Sequence, residues 1–201
     1  MPDNPERWTG GRRTGERRTL TWPTHAAGGI TSLWLLALVP GAVTGQTIGP
    51  LALLAAGAAL LPDLDAQRSK IRSLRIGPVR PLDPLGALVY GAWGHRGPLH
   101  SLPGLAAFGL ACALPLARQW GGEYGAAVLL GYGSHLLLDA MTRHGVPLWP
   151  ARGRDGRWGL RRRQHLLPRR LRFVTGSSAE DVLQAFLFGA VLLLLLTRLA
   201  S

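Results

Sequence analysis

The sequence predicts an all-α, polytopic helical membrane protein with about five transmembrane helices. Three observations predict it. No charged residue occurs from Ala26 to Pro62, a run of 37 positions. Gly makes up 27 of the 201 residues, roughly double the usual 7%, and it falls largely inside apolar stretches, where it lets membrane helices pack closely. Hydrophobic residues reach 47% while charged ones stay at 17%, yet the net charge is +12. That balance excludes a disordered basic tail for the whole chain, because such a tail is poor in Leu and Val.

Residues 1–24 are polar and basic and read as a disordered cytosolic arm. Residues 25–201 read as a single helical membrane domain. Its first apolar run is too long for one helix, and Pro40-Gly41, Gly45-Gln46 and Gly49-Pro50 punctuate it. A helical hairpin is expected, with helices near 26–44 and 48–62. Residues 63–97 are polar and basic apart from 84–94, eleven apolar residues that are too few to span a bilayer and read as interfacial or re-entrant. A third helix is expected near 98–117, with Pro98 in its first turn. A fourth is expected near 124–142. Residues 143–181 form a long arginine-rich cytosolic segment. A fifth helix is expected near 182–200, and Ser177-Ser178-Ala179-Glu180 just before it has capping-box spacing.

With the N-terminus inside, 21 of the Lys and Arg residues fall on the inner side and only Arg118 and Arg198 on the outer. This is the distribution the positive-inside rule requires of five helices. Trp8, Trp22, Trp93, Trp149 and Trp158 also fall on the inner side, where interfacial anchors sit. The expected location is a bacterial inner membrane, multi-pass, with a cytosolic N-terminus. Cys112 is the one cysteine. It excludes a disulfide framework or a Cys-rich zinc site and is read as a packing residue.

This topology places seven metal-ligating side chains at the inner ends of helices one to four. His25 opens the first helix, Asp63 and Asp65 follow the second, His95 and His100 flank the start of the third, and His135 and Asp139 share one face of the fourth. Imidazoles and carboxylates of this kind hold Zn, Mn or Fe. A carboxylate such as Asp139 in an apolar helix costs a few kcal/mol unless it is paired or coordinated. Seven ligands exceed one tetrahedral site, so one or two divalent ions, Zn or Mn, are expected. His25, Asp63, His135 and Asp139 are the expected core of the site. Asp65, His95 and His100 complete a second ion or act as base and orienting groups, and so are the candidate catalytic residues. Arg96, between His95 and His100, is the candidate for holding a substrate anion. Nine arginines between Arg152 and Arg172 face anionic lipid or phosphate. Without a DNA-reading motif, DNA is not the expected partner.

The stretches GAALLPDLD, HRGPLHS, GYGSHLLLD and FVTGSSAED, in that order after an early His, resemble the YdjM-like family of inner-membrane metal-dependent hydrolases, also described as LexA-binding or LexA-regulated. The resemblance runs from about His25 to Asp181. It implies hydrolase activity and a metal cofactor, and it leaves the substrate open. Two positions depart from the family pattern: Leu99 stands where Thr is common, and Ala66-Gln67 stand where His-Pro often follows the second Asp.

The expected function is therefore metal-dependent hydrolysis of a phosphoester or lipid-linked substrate at the cytosolic interface, with membrane lipids as partners. A transporter or metal carrier is one alternative, and it needs sites near the bilayer midplane. A non-catalytic membrane anchor for a DNA-binding partner is the other.

Overall fold

The computed structural model describes residues 21–66, 69, 71–93, 98–149, 151–152, 158–159 and 163–200. His95 and Arg96 lie outside them, as does most of the basic arm. The fold is helical; among the described residues, the strands are one two-residue antiparallel pair, Ala151–Arg152 with Trp158–Gly159.

Helix α1 spans Trp22–Thr31 and α2 Leu33–Leu36. The run begins four residues before the expected start because Pro23 suits a helix's first turn. It also ends early, before a loop in which Gly41 adopts φ +76°. Helix α3, Ile48–Ala58, continues into a 3-10 turn at Leu61–Asp65 that carries both aspartates. The eleven-residue apolar stretch becomes α4, Asp83–Trp93, and packs on that turn. The expected third helix is segmented. A 3-10 turn at Pro98–His100 precedes α5, Leu102–Gly104, a π turn at Leu105–Gly109, and α6, Leu110–Trp120. Its cap is Ser101, whose hydroxyl accepts from the Gly104 amide at 3.1 Å. Helix α7 runs Gly122–Met141 and α8 Ser178–Leu199.

Helix α7 is the central element and packs on α1, α3 and α6, while α8 packs mainly on α1. Small residues permit the closest crossings. A Cβ at Gly29 or at Gly131 would overlap the Ala55 carbonyl of α3, so α1 and α7 approach α3 at one level on either side. The apolar core nearby gathers Leu33, Leu36, Ile48, Leu51, Ala127 and Leu194.

Among the described residues, two helical stretches are long and apolar enough to cross a membrane: Ile48–Asp65, with mean hydropathy 1.4, and Ser178–Leu199, with mean hydropathy 2.2. The second carries more of the argument, because only 11% of its apolar window is buried. Phe186 is 73% exposed and Val182 71%. A water-soluble protein buries such a helix in its core; here the apolar surface faces outward, as contact with lipid requires. Twenty-two residues rise about 33 Å, against a hydrocarbon core of about 30 Å.

The Ser177–Glu180 capping box does not form. Ser177 makes no side-chain cap bond. Instead the Glu180 carboxylate is buried and accepts from the Thr21 amide at 2.7 Å, the Thr21 hydroxyl at 2.9 Å, the Thr24 hydroxyl at 3.1 Å and the Gly176 amide at 2.6 Å. The local bond loses to a hub that satisfies amides and hydroxyls at the starts of both α1 and α8. Both helices therefore begin at the same end of the bundle. At the opposite end, Arg198 donates to the Ala37 carbonyl at 3.3 Å.

Candidate metal centre

His135 shows how the fold aims a ligand. Its Nδ1 lies 2.6 Å from the Ala59 carbonyl, just past the end of α3. A carbonyl only accepts, so Nδ1 carries the proton and donates. In the neutral ring Nε2 is then left with its lone pair, and Nε2 points at the other site residues. The same bond satisfies a carbonyl that the helix end cannot.

His100 is oriented in a parallel way. Its Nδ1 lies 3.3 Å from Asp65 Oδ2, and both side chains are fully buried. Its Nε2 sits 3.3 Å from Nε2 of His135. The turn that carries it is fixed by the Ser101 hydroxyl, which donates to Pro98 O at 2.6 Å, and by the Tyr132 hydroxyl, which donates to Leu99 O at 2.7 Å. His25, in the first turn and a half of α1, stacks on the His135 ring with centroids 3.8 Å apart.

Two carboxylates complete the cluster. Asp63 Oδ1 is 3.9 Å from Nε2 of both His100 and His135. Asp139 Oδ1 is 3.7 Å from His25 Nε2, and its Oδ2 is 3.8 and 3.9 Å from Nε2 of His100 and His135. All six side chains are buried. These imidazole–carboxylate separations exceed a hydrogen bond's 2.7–3.2 Å or so. They approach the spacing of neighbouring ligands around one ion, which is about 3–3.5 Å for metal–ligand bonds of about 2.0–2.2 Å. Among the described residues, two triads each bring their ligand atoms within 4.8 Å of one another: His25, Asp63 and His135, and His100, His135 and Asp139. Three imidazoles and three carboxylates in a closed interior are chemically suited to a divalent cation, whose charge offsets the desolvated carboxylates.

The expected core residues His25, Asp63, His135 and Asp139 are thus brought together. His100 joins them, where the sequence had placed it with a second ion or as a base. Asp65 stands behind His100. The positions of His95 and Arg96 fall outside the described residues. Two groups that position the site were missed, Tyr132 and the Ala59 carbonyl. Tyr132 lies three residues before His135 and seven before Asp139, so helical spacing alone could have placed it on the same stripe. The Ala59 carbonyl leaves no trace in residue identity.

A family model described as YdjM inner membrane protein matches residues 20–200. The chain belongs to the YdjM inner membrane protein family. It is 39% identical over 100 residues to the inner membrane protein YdjM of Escherichia coli strain K12, and equally to that of Shigella flexneri. Each match covers 47% of this chain and 46% of the relative, so the chain spans about half the length of the curated relatives it matches. No solved structure matches significantly. Membership of the YdjM family supports the inner membrane as the location and gives no activity.

Proposed function

We propose that this chain is a membrane-embedded, metal-dependent hydrolase acting on a phosphoester or lipid-linked substrate at the cytosolic face. The observation that carries the reading is the pair of Nε2 atoms of His100 and His135. Each ring is held from behind, by Asp65 and by the Ala59 carbonyl, and both turn toward Asp63 and Asp139. Ligands oriented from outside in this way are the signature of a metal centre.

His25, Asp63, His100, His135 and Asp139 would hold the ion. We propose one ion, because both triads share His135, and its Nε2 has one lone pair to give while Nδ1 is engaged. A divalent ion there, Zn or Mn, supplies Lewis-acid polarisation of the scissile group and a more acidic water. The chain's own residues do the rest. Asp65 fixes the His100 ring and holds the proton at its Nδ1. The buried setting excludes bulk water, which strengthens every charge interaction with substrate. In this reading His95 and Arg96, which lie outside the described residues, would serve as a base and as the partner of a substrate anion.

The proposed topology has five spans: α1–α2, α3 with its 3-10 turn, α5–α6, α7 and α8. The shared end of α1 and α8, tied by Glu180, supports it, since it gathers the arm and the 143–181 segment on one side. The test is metal analysis of the purified full-length protein, with hydrolysis assays on soluble and lipid-linked phosphate esters in added Zn or Mn. About one ion per chain and metal-dependent turnover are expected. Bound metal without turnover of any ester would remove the hydrolase reading and leave the metal centre.

A further inference from the structure

The arginine-rich segment folds back on α7 and builds a second site, separate from the metal centre. Val146 and Gln164 exchange backbone bonds at 3.0 and 2.8 Å, the Leu166 amide donates to Ala140 O at 2.9 Å, and the Leu102 amide donates to Leu148 O at 2.8 Å. Two cavities result, and they meet at His165. One, of about 430 Å³, is lined by Arg143, His165, Arg169 and Arg172. The other, of about 410 Å³, is an apolar groove that includes Leu102, Leu136, Leu137 and Leu166.

The basic cavity is a concentrated positive charge. Among the described residues no carboxylate pairs with Arg143, Arg169 or Arg172; the described ion pairs are those of the metal centre and Arg72 with Asp83. Arg172, which lines the cavity, is held in place by a 2.8 Å bond from Nε to Leu167 O. His165 Nε2 donates to Arg143 O at 3.2 Å. The groove's residues on α7, at 133, 136, 137 and 140, lie roughly 130° around the helix from His135 and Asp139 at about 100° per residue. Side chains lining the two sites thus leave α7 on different faces.

We propose that these adjoining cavities bind one anionic membrane phospholipid, its phosphate on Arg143, Arg169 and Arg172 and an acyl chain in the apolar groove. A guanidinium fork matches phosphate oxygens in geometry and charge. The groove continues onto exposed apolar surface, with Leu137 54% and Leu166 58% exposed, so a chain entering it stays continuous with the bilayer. A free phosphate ion would use the first cavity and leave the second unexplained.

Native mass spectrometry of the delipidated full-length protein in detergent tests this, titrating dioleoyl phosphatidylglycerol against dioleoyl phosphatidylcholine. One phosphatidylglycerol per chain is expected, at concentrations at least about tenfold below those phosphatidylcholine needs. The double variant Arg143→Gln, Arg169→Gln should weaken phosphatidylglycerol binding at least about tenfold, since each charged hydrogen bond to phosphate is worth about that much. Leu137→Gln should weaken it too, through the groove. Inorganic phosphate at millimolar levels should not displace the lipid. Equal binding of the two lipids by the wild-type protein overturns the proposal without reference to any variant. So does displacement by phosphate together with indifference to Leu137→Gln, which would mark a free-anion site. Metal content and hydrolysis are read separately, so loss of the hydrolase reading leaves this result intact.

Discussion

Asp139 and Asp65 differ by position, and that difference predicts different failures. Asp139 presents one oxygen to His25 and the other to His100 and His135. Asp139→Asn keeps size and hydrogen bonding but removes the charge that would neutralise a buried cation in the proposed centre. Bound metal and hydrolysis should fall together, as read by metal analysis and ester turnover on the same sample. Asp65→Asn changes the group behind His100. Loss of such an orienting carboxylate weakens metal binding by about 10- to 100-fold, so metal should still saturate at higher concentration, measured by competition with a chelator. If both variants lose metal equally at all concentrations, Asp65 is itself a ligand. Arg96→Ala should leave metal content unchanged, because a guanidinium cannot ligate a cation. Turnover of an anionic ester should fall about 10- to 150-fold, the value of one charged hydrogen bond. Loss of metal with Arg96→Ala would refute its role in holding substrate.

Elements turn these residues into a centre, and the crossing of α1, α3 and α7 is the joint that matters. Gly131→Ala introduces a Cβ that overlaps the Ala55 carbonyl. Backbone of a packed helix cannot swing aside as a flexible side chain can, so the helices must separate, at about 1–3 kcal/mol or more. His135 lies one turn along α7 from Gly131, and its partner Ala59 lies one turn along α3 from Ala55. The substitution should therefore lower thermal stability and reduce metal retention together; Gly133→Ala is the control on the same helix, because a Cβ there meets nothing within 4 Å. An unchanged melting temperature for Gly131→Ala would show that the crossing is not tight. The helices themselves were legible from apolar runs broken by Pro and Gly, and the shared face of His135 and Asp139 from their spacing of four. The segmented start of α5–α6 was not legible, because Pro98 and Pro103 both suit a first turn and only the Ser101 cap decides between them. Nor was the Glu180 hub, since its partners Thr21 and Thr24 are 159 and 156 residues away and local spacing offered a competing cap.

At the scale of the whole molecule, charge and geometry make one argument about orientation. The sequence assigns 21 basic residues to one side and Arg118 and Arg198 to the other. In the structure, Glu180 joins the starts of α1 and α8, whereas Arg198 reaches the loop after α2 at the far end. The 3-10 turn bearing Asp63 and Asp65 packs on α4 and on the turn bearing His100, so these described parts of the 63–97 segment lie near the candidate metal centre. In the proposed five-span topology an odd number of spans separates that segment from the C-terminus. The expected topology is N-terminus, residues 63–97 and residues 143–181 in the cytosol, with the C-terminus outside. Single cysteines at Ser73 and Ala200, in a Cys112→Ala background, check it by labelling intact spheroplasts with a membrane-impermeant maleimide. Ala200→Cys should label at once, and Ser73→Cys only after the membrane is opened. Labelling of both from the same side would reduce the spans between them to an even number. That result would point to α5–α6 or α8 as the element that fails to cross, and exposed α8, with so little of its apolar surface buried by the rest of the chain, makes α5–α6 the one to re-examine.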